Sequence, residues 1–156
     1  MGIEIERKFL VRGEAWRHGE GRDEGRYLCQ AYLNRDPART VRVRIDGEQG
    51  FLTVKGRSVG ATRSEFEYAI PLADARALLA LADGPAVEKR RYRLPVGDLV
   101  WEIDEFLGAN APLVVAEIEL PAEDHPFDRP DWLGEEVTQD ARYFNSALAA
   151  HPYSSW

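Results

Sequence analysis

The chain has 156 residues, 44% hydrophobic and 30% charged, which suits one well-buried core, spanning 1–156, and is short for two. No apolar run approaches the roughly 18 residues of a membrane helix and no secretory leader opens the chain, so neither a membrane span nor export is expected. A formal net charge of −7 argues against a general nucleic-acid binder, and the single cysteine, Cys29, cannot form an internal disulfide, which fits a cytoplasmic setting with Cys29 as core filler.

The first segment, 3–11, contains Glu4-Ile5-Glu6-Arg7-Lys8. Spacing of two is strand spacing, so Glu4, Glu6 and Lys8 project from one face. Two carboxylates so placed can share a hard divalent cation, and an ammonium beyond them can contact the anion which that cation carries. In isolation the same pattern describes a solvated strand face, and it is the rest of the chain that decides between them.

A polar, glycine-containing stretch, 13–25, reads as a short helical turn and loop. Strands are expected at 27–33, with Gln30 and Tyr32 on one face, and at 40–45, where Val41-Arg42-Val43-Arg44 alternates. Asp46-Gly47 signals a hairpin into 50–55, and 63–70 alternates through Glu65 and Glu67 until Pro71 ends it. The period then becomes helical over 72–82, stopped by Asp83-Gly84-Pro85. Strands resume at 86–94, 99–106 and 113–120, and a helix is expected over 140–150. Consecutive strands with short connections and no βαβ rhythm favour an antiparallel sheet.

Assigning faces by period two puts Ile3, Ile5, Val41, Val43, Leu52, Val54, Phe66, Trp101, Ile103, Ile118 and Leu120 together. The opposite face carries Glu4, Glu6, Lys8, Gln30, Tyr32, Arg42, Arg44, Lys55, Glu65, Glu67, Lys89, Arg91, Glu102, Asp104, Glu117 and Glu119. Against seventeen arginines the chain has three lysines, Lys8, Lys55 and Lys89, and all three fall on this face. Closed with this face inward, the sheet loses its edges and encloses a charged cavity. The apolar face would then lie outside, covered in part by the two helices, with the remainder open to a partner subunit. Eight carboxylates against six cations leave the inner face slightly acidic, and two divalent ions would reverse its sign and admit an anion.

These motifs resemble the CYTH or triphosphate tunnel metalloenzyme superfamily. Glu4-x-Glu6-x-Lys8 is similar to its N-terminal signature. Val41-Arg-Val-Arg44, Thr53-Val-Lys55, Glu65-x-Glu67, Lys89-Arg-Arg91, Glu102-x-Asp104 and Glu117-x-Glu119 follow in the family's order, and 136–145 is similar to the terminal segment of its bacterial branch. The resemblance implies an α+β, β-dominated fold, a closed eight-stranded antiparallel β-barrel with peripheral helices. It implies that Glu4, Glu6, Glu117 and Glu119 bind Mg2+ or Mn2+, as one or two ions. Lys8, Arg42, Arg44, Lys55, Lys89, Arg91 and Arg142 would bind phosphate oxygens. Glu65, Glu67, Glu102 and Asp104 would either hold a second metal or orient the cations. Lys8 and Tyr32 would form a catalytic pair.

The implied reaction is metal-dependent hydrolysis of a triphosphate, foremost inorganic tripolyphosphate to pyrophosphate and phosphate. Thiamine triphosphatase and class IV adenylyl cyclase are the alternatives within the family, and a non-catalytic polyphosphate-binding module is the alternative outside it. The expected partner is a small anionic substrate, with no nucleic acid and no membrane, and the uncovered apolar surface leaves room for a homodimer. Elsewhere the signals are plain. Gly19 to Gly25 reads as an ordinary loop, His18, His125 and His151 lack ligand spacing, and Trp132 and Tyr143 read as packing residues.

Overall fold

The computed structural model describes residues 2–156. Nine strands form one antiparallel sheet: β1 (Gly2–Val11), β2 (Arg26–Asn34), β3 (Arg39–Asp46), β4 (Gln49–Gly56), β5 (Thr62–Ile70), β6 (Val87–Val96), β7 (Leu99–Phe106), β8 (Val114–Glu119) and β9 (Leu133–Glu136). The order is β5-β4-β3-β2-β6-β7-β8-β1-β9, and a further pairing of β5 with β1 closes the first eight strands into a barrel. All eight expected strands form, and β9 is the addition. It lies beside the second half of β1, with Phe9 opposite Glu136 and Val11 opposite Leu133, while β5 pairs with the first half through Gly2 to Ile5. The alternation of β1 therefore serves three neighbours, because β8 takes Glu6 to Leu10 from the other side.

The tight β3–β4 hairpin turns at Gly47, whose φ of 62° is open to glycine without a Cβ penalty. Helix α1 (Leu72–Leu81) crosses the outside of β2, β3 and β4. It comes so close to β4 that a Cβ at Gly50 would stand 2.6 Å from that of Ala75. Val43 and Ala75 are fully buried in this contact layer. Over β6, β7, β8 and β1 the outer face carries Tyr92, Leu94, Trp101, Ile103, Ala116, Ile118 and Phe9, capped by Trp16, Phe127, Trp132 and Leu133. Phe9, Trp101, Phe127 and Trp132 meet edge to face, at centroid separations of 5.4 to 5.9 Å, the offset geometry that ring quadrupoles favour.

The C-terminal segment departs from the sequence reading in length and in place. A single helix over 140–150 is replaced by a 3-10 turn, Ala141–Tyr143, and a short α2, Asn145–Ala150, hinged at Phe144. Nor does α2 lie on the outer face. At one end of the barrel the inward positions become apolar, as Tyr32, Val87, Phe106 and Val115, and Leu148, Ala149, Tyr143 and Val137 pack against them. The helix fills that end of the lumen because the inward face is charged over only part of its length.

Candidate active site

The inward face forms a cavity of about 670 Å³ whose wall includes nine carboxylates and eight cationic side chains. Period-two alternation in a closed barrel sends these groups inward from most of its strands. Every candidate residue chosen from the sequence lines this cavity except Asp104 and Arg142. Asp104 sits just behind the wall with no exposed surface. Arg142 stands outside, its side chain 65% exposed, with Nη2 2.7 Å from Asp140 and its guanidinium 5.0 Å from the Trp156 ring.

Most of the lumen's charges are paired with each other. Lys55 Nζ donates to both oxygens of Glu4 at 3.2 Å and lies 3.3 Å from Glu65, while Arg63 Nε donates to Glu4 at 3.2 Å. Burial pushes the Glu4 carboxyl up, but Lys55 and Arg63 outweigh it and hold Glu4 down at about 2. Further along the same strands Arg42 of β3 donates to Thr53 at 3.2 Å and to Glu67 at 3.4 Å. Arg91 forks onto Asp104 at 2.8 and 2.9 Å and reaches Glu117 at 3.3 Å and Glu102 at 3.4 Å. Lys89 Nζ lies 2.6 Å from Asp104. Burial lowers Lys89 to about 7, with Arg91 and Arg44 adding repulsion against the pull of Asp104. Arg44 is likewise lowered to about 9, by burial first and then by Arg42 and Arg91.

The acidic side of the lumen is built from β1 and β8, where Glu6 pairs with Glu119 and Lys8 with Glu117. Burial and then the neighbouring Glu117 carboxylate raise Glu6 well above its ordinary value. Glu117 is held well below its own by Lys8, by a hydrogen bond from Glu6 and by Arg91, against burial. The two carboxyls are thus driven apart, Glu6 upward and Glu117 downward. Among the described residues no three His, Cys, Asp or Glu side chains are drawn together into a ready-made cage. The donor set nevertheless fits a hard divalent ion: oxygen donors alone, among them two neighbouring carboxyls whose mutual repulsion a cation would relieve.

Lys8 and Tyr32 both line the cavity, and both are buried. The Lys8 ammonium donates to the Tyr143 carbonyl at 3.3 Å and lies 5.5 Å from the Phe144 ring centroid. No hydrogen bond joins it to Tyr32 among the described residues.

The sequence matches the CYTH domain over residues 2–153. The chain belongs to the CYTH family. It is 46% identical over 157 residues to an inorganic triphosphatase of Acetivibrio thermocellus, covering 100% of this chain and 99% of the relative. It is 40% identical over 152 residues to an inorganic triphosphatase of Nitrosomonas europaea, covering 94% and 96%. A crystal structure of an inorganic triphosphatase superposes with a TM-score of 0.65 at 37% identity, over 94% of this chain and 93% of that one.

The CYTH lumen also contains residues that sequence reasoning missed. Arg63 lines it beside Glu4, and its place two residues before Glu65 on the same strand was the available signal. Arg26, Thr40, Thr53, Phe144, Asn145 and Ser146 line it as well. Phe144 to Ser146 carry no periodic signal, because they reach the lumen through the course of the chain after β9 rather than through a strand.

Proposed function

We propose that this CYTH protein hydrolyses inorganic triphosphate to pyrophosphate and phosphate, inside the barrel and with the help of a divalent metal ion. The observation that carries the reading is the lumen itself, a cavity of about 670 Å³ lined by eight cationic side chains and nine carboxylates. Such a lumen takes a small, densely charged anion, and the two relatives named inorganic triphosphatase support that substrate.

Phosphoanhydride cleavage needs charge neutralised on the transferred phosphoryl group and the reacting oxygens held in line. Arg42, Arg44, Lys55, Lys89 and Arg91 bind the phosphate oxygens, the arginines as forks and the lysines as point charges. Glu4, Glu6, Glu117 and Glu119 would hold Mg2+ or Mn2+, as one or two ions. When bound, the metal supplies charge neutralisation and a polarised water. Lys55 and Arg63, which pair with Glu4 in this structure, would be free to bind phosphate wherever Glu4 held a metal ion. Lys8, with the Tyr143 carbonyl as its resting acceptor, has Tyr32 on the same wall and acts at the scissile phosphate. Asp104 orients Lys89 and Arg91 from behind. Glu65, Glu67 and Glu102 neighbour cations in the same way.

The chain works as one unit over 1–156, and its single cysteine suits a cytoplasmic setting. Among the described residues no helix is long and apolar enough to cross a membrane. The outer face left uncovered by α1 exposes Ile3, Phe66 and Tyr68, and this supports pairing with a second copy, which sedimentation velocity would detect.

The test is phosphate release from tripolyphosphate, pyrophosphate, ATP and thiamine triphosphate, with Mg2+, with Mn2+ and with chelator, while ATP is watched for cyclic nucleotide. Metal-dependent release from tripolyphosphate above the others is expected. Binding without release in either metal would replace the enzyme with a polyphosphate-binding module.

A further inference from the structure

Two uncharged side chains join cations of the lumen. Gln30 on β2 has no exposed surface. Its Oε1 accepts from Arg44 Nε at 2.8 Å, and its Nε2 donates to Asn145 Oδ1 at 3.1 Å. The same Oδ1 accepts from Lys89 Nζ at 3.0 Å. β2 lies between β3 and β6, with Gln30 opposite Arg44 on one side and opposite Val87 on the other. The amide here therefore meets Arg44 of β3 directly and Lys89 of β6 through Asn145.

Arg44 forms no ion pair among the described residues, and Gln30 is its one side-chain hydrogen-bond partner there. The half-buried guanidinium feels the repulsion of Arg42 and Arg91 more than the pull of Asp104 and is held in place chiefly by that acceptor, which leaves its terminal nitrogens without a partner among the described residues. Lys89 is held by Asp104 behind and Asn145 in front, which leaves one of its three donors unassigned.

We infer that Gln30 and Asn145 are positioning residues, an amide pair that fixes Arg44 and Lys89 as one unit toward the phosphate chain and ties that unit to the C-terminal segment. This rests on the phosphate-binding reading of the lumen. The pair carries no charge of its own. It therefore orders two like charges without neutralising them, as a carboxylate would, and the full attraction for phosphate is kept.

Kinetics with tripolyphosphate test the inference, using Gln30→Met, Asn145→Ala, the double variant and Asn145→Asp. Each of the first two should raise KM about tenfold, the scale of one lost hydrogen bond to a charged group, with kcat within about threefold of wild type. The double variant should be no worse than the weaker single by more than about twofold, because either change breaks the same chain. Asn145→Asp keeps an acceptor for both Lys89 and Gln30 but adds the counter-charge that the amide lacks, and should raise KM at least as far as Asn145→Ala does. A purely structural role would lower the melting temperature without this pattern. The inference falls if both single variants keep KM within about twofold of wild type, if their losses multiply in the double variant, or if Asn145→Asp keeps the wild-type KM at equal folded content. Should Gln30→Met fail to fold, the two Asn145 variants decide alone. Should wild type release no phosphate, the functional reading falls, and tripolyphosphate affinity by calorimetry in the same variants decides the amide pair.

Discussion

Arg91 holds Asp104 by two parallel hydrogen bonds, Nε to Oδ1 at 2.8 Å and Nη2 to Oδ2 at 2.9 Å, and Lys89 closes on the same Oδ2 at 2.6 Å. One carboxylate without exposed surface thus anchors two cations from behind the cavity wall. Asp104→Asn would leave both cations short of their counter-charge. Breaking a buried ion pair in this way costs about 3 kcal/mol, and chemical denaturation should show a loss of that size together with weakened tripolyphosphate binding.

Burial and Glu117 raise the proton affinity of Glu6 above that of an ordinary carboxylate. Cation binding to this pair should therefore compete with protons and release them. Titration of Mg2+ in buffers of different ionisation enthalpy should give buffer-dependent heats, and Glu6→Gln should abolish that dependence. Buffer-independent heats in wild type would place the metal elsewhere.

Lys8 and Tyr32 share the wall without a mutual hydrogen bond. If they act on the reacting phosphate, Lys8→Ala and Tyr32→Phe should each lower kcat by about 100-fold, within the range of positioned acid–base groups, and change KM far less. Unchanged turnover in both variants would remove the pair from the mechanism.

Arg142 is exposed and turned toward Asp140 and Trp156. Arg142→Ala should leave KM and kcat within about twofold, as surface changes generally do. Lys55→Ala, which removes a cation from the lumen, should raise KM for tripolyphosphate by about tenfold or more, the scale of a charge-assisted contact.

Glu136 ties β9 to β1 by accepting from Arg7 at 2.9 and 2.5 Å and from Thr138 at 2.6 Å. Its carboxyl is held below the ordinary 4.5 by Arg7 first and then by Thr138, against burial. A lowered folded value means that this stabilisation is complete above the unfolded value and is lost as pH falls through the folded one. Glu136→Gln should therefore melt below wild type at pH 7, and the gap should shrink as pH is lowered below about 4.5.

The sequence by itself determined the barrel strands and nearly all of the charged wall. Alternation fixes which side chains share a face whatever the partners of a strand, so Glu4, Glu6 and Lys8 could be grouped with Arg42, Lys55 and Glu117 before any pairing was known. Tertiary structure decided what alternation cannot encode. It removed Arg142 from the cavity, placed Asp104 behind the wall, and added β9 on the edge of β1 that β5 leaves free. It also turned Phe144 and Asn145 into the lumen, because the apolar inward positions at one end of the barrel offer α2 a better burial site than the outer face does.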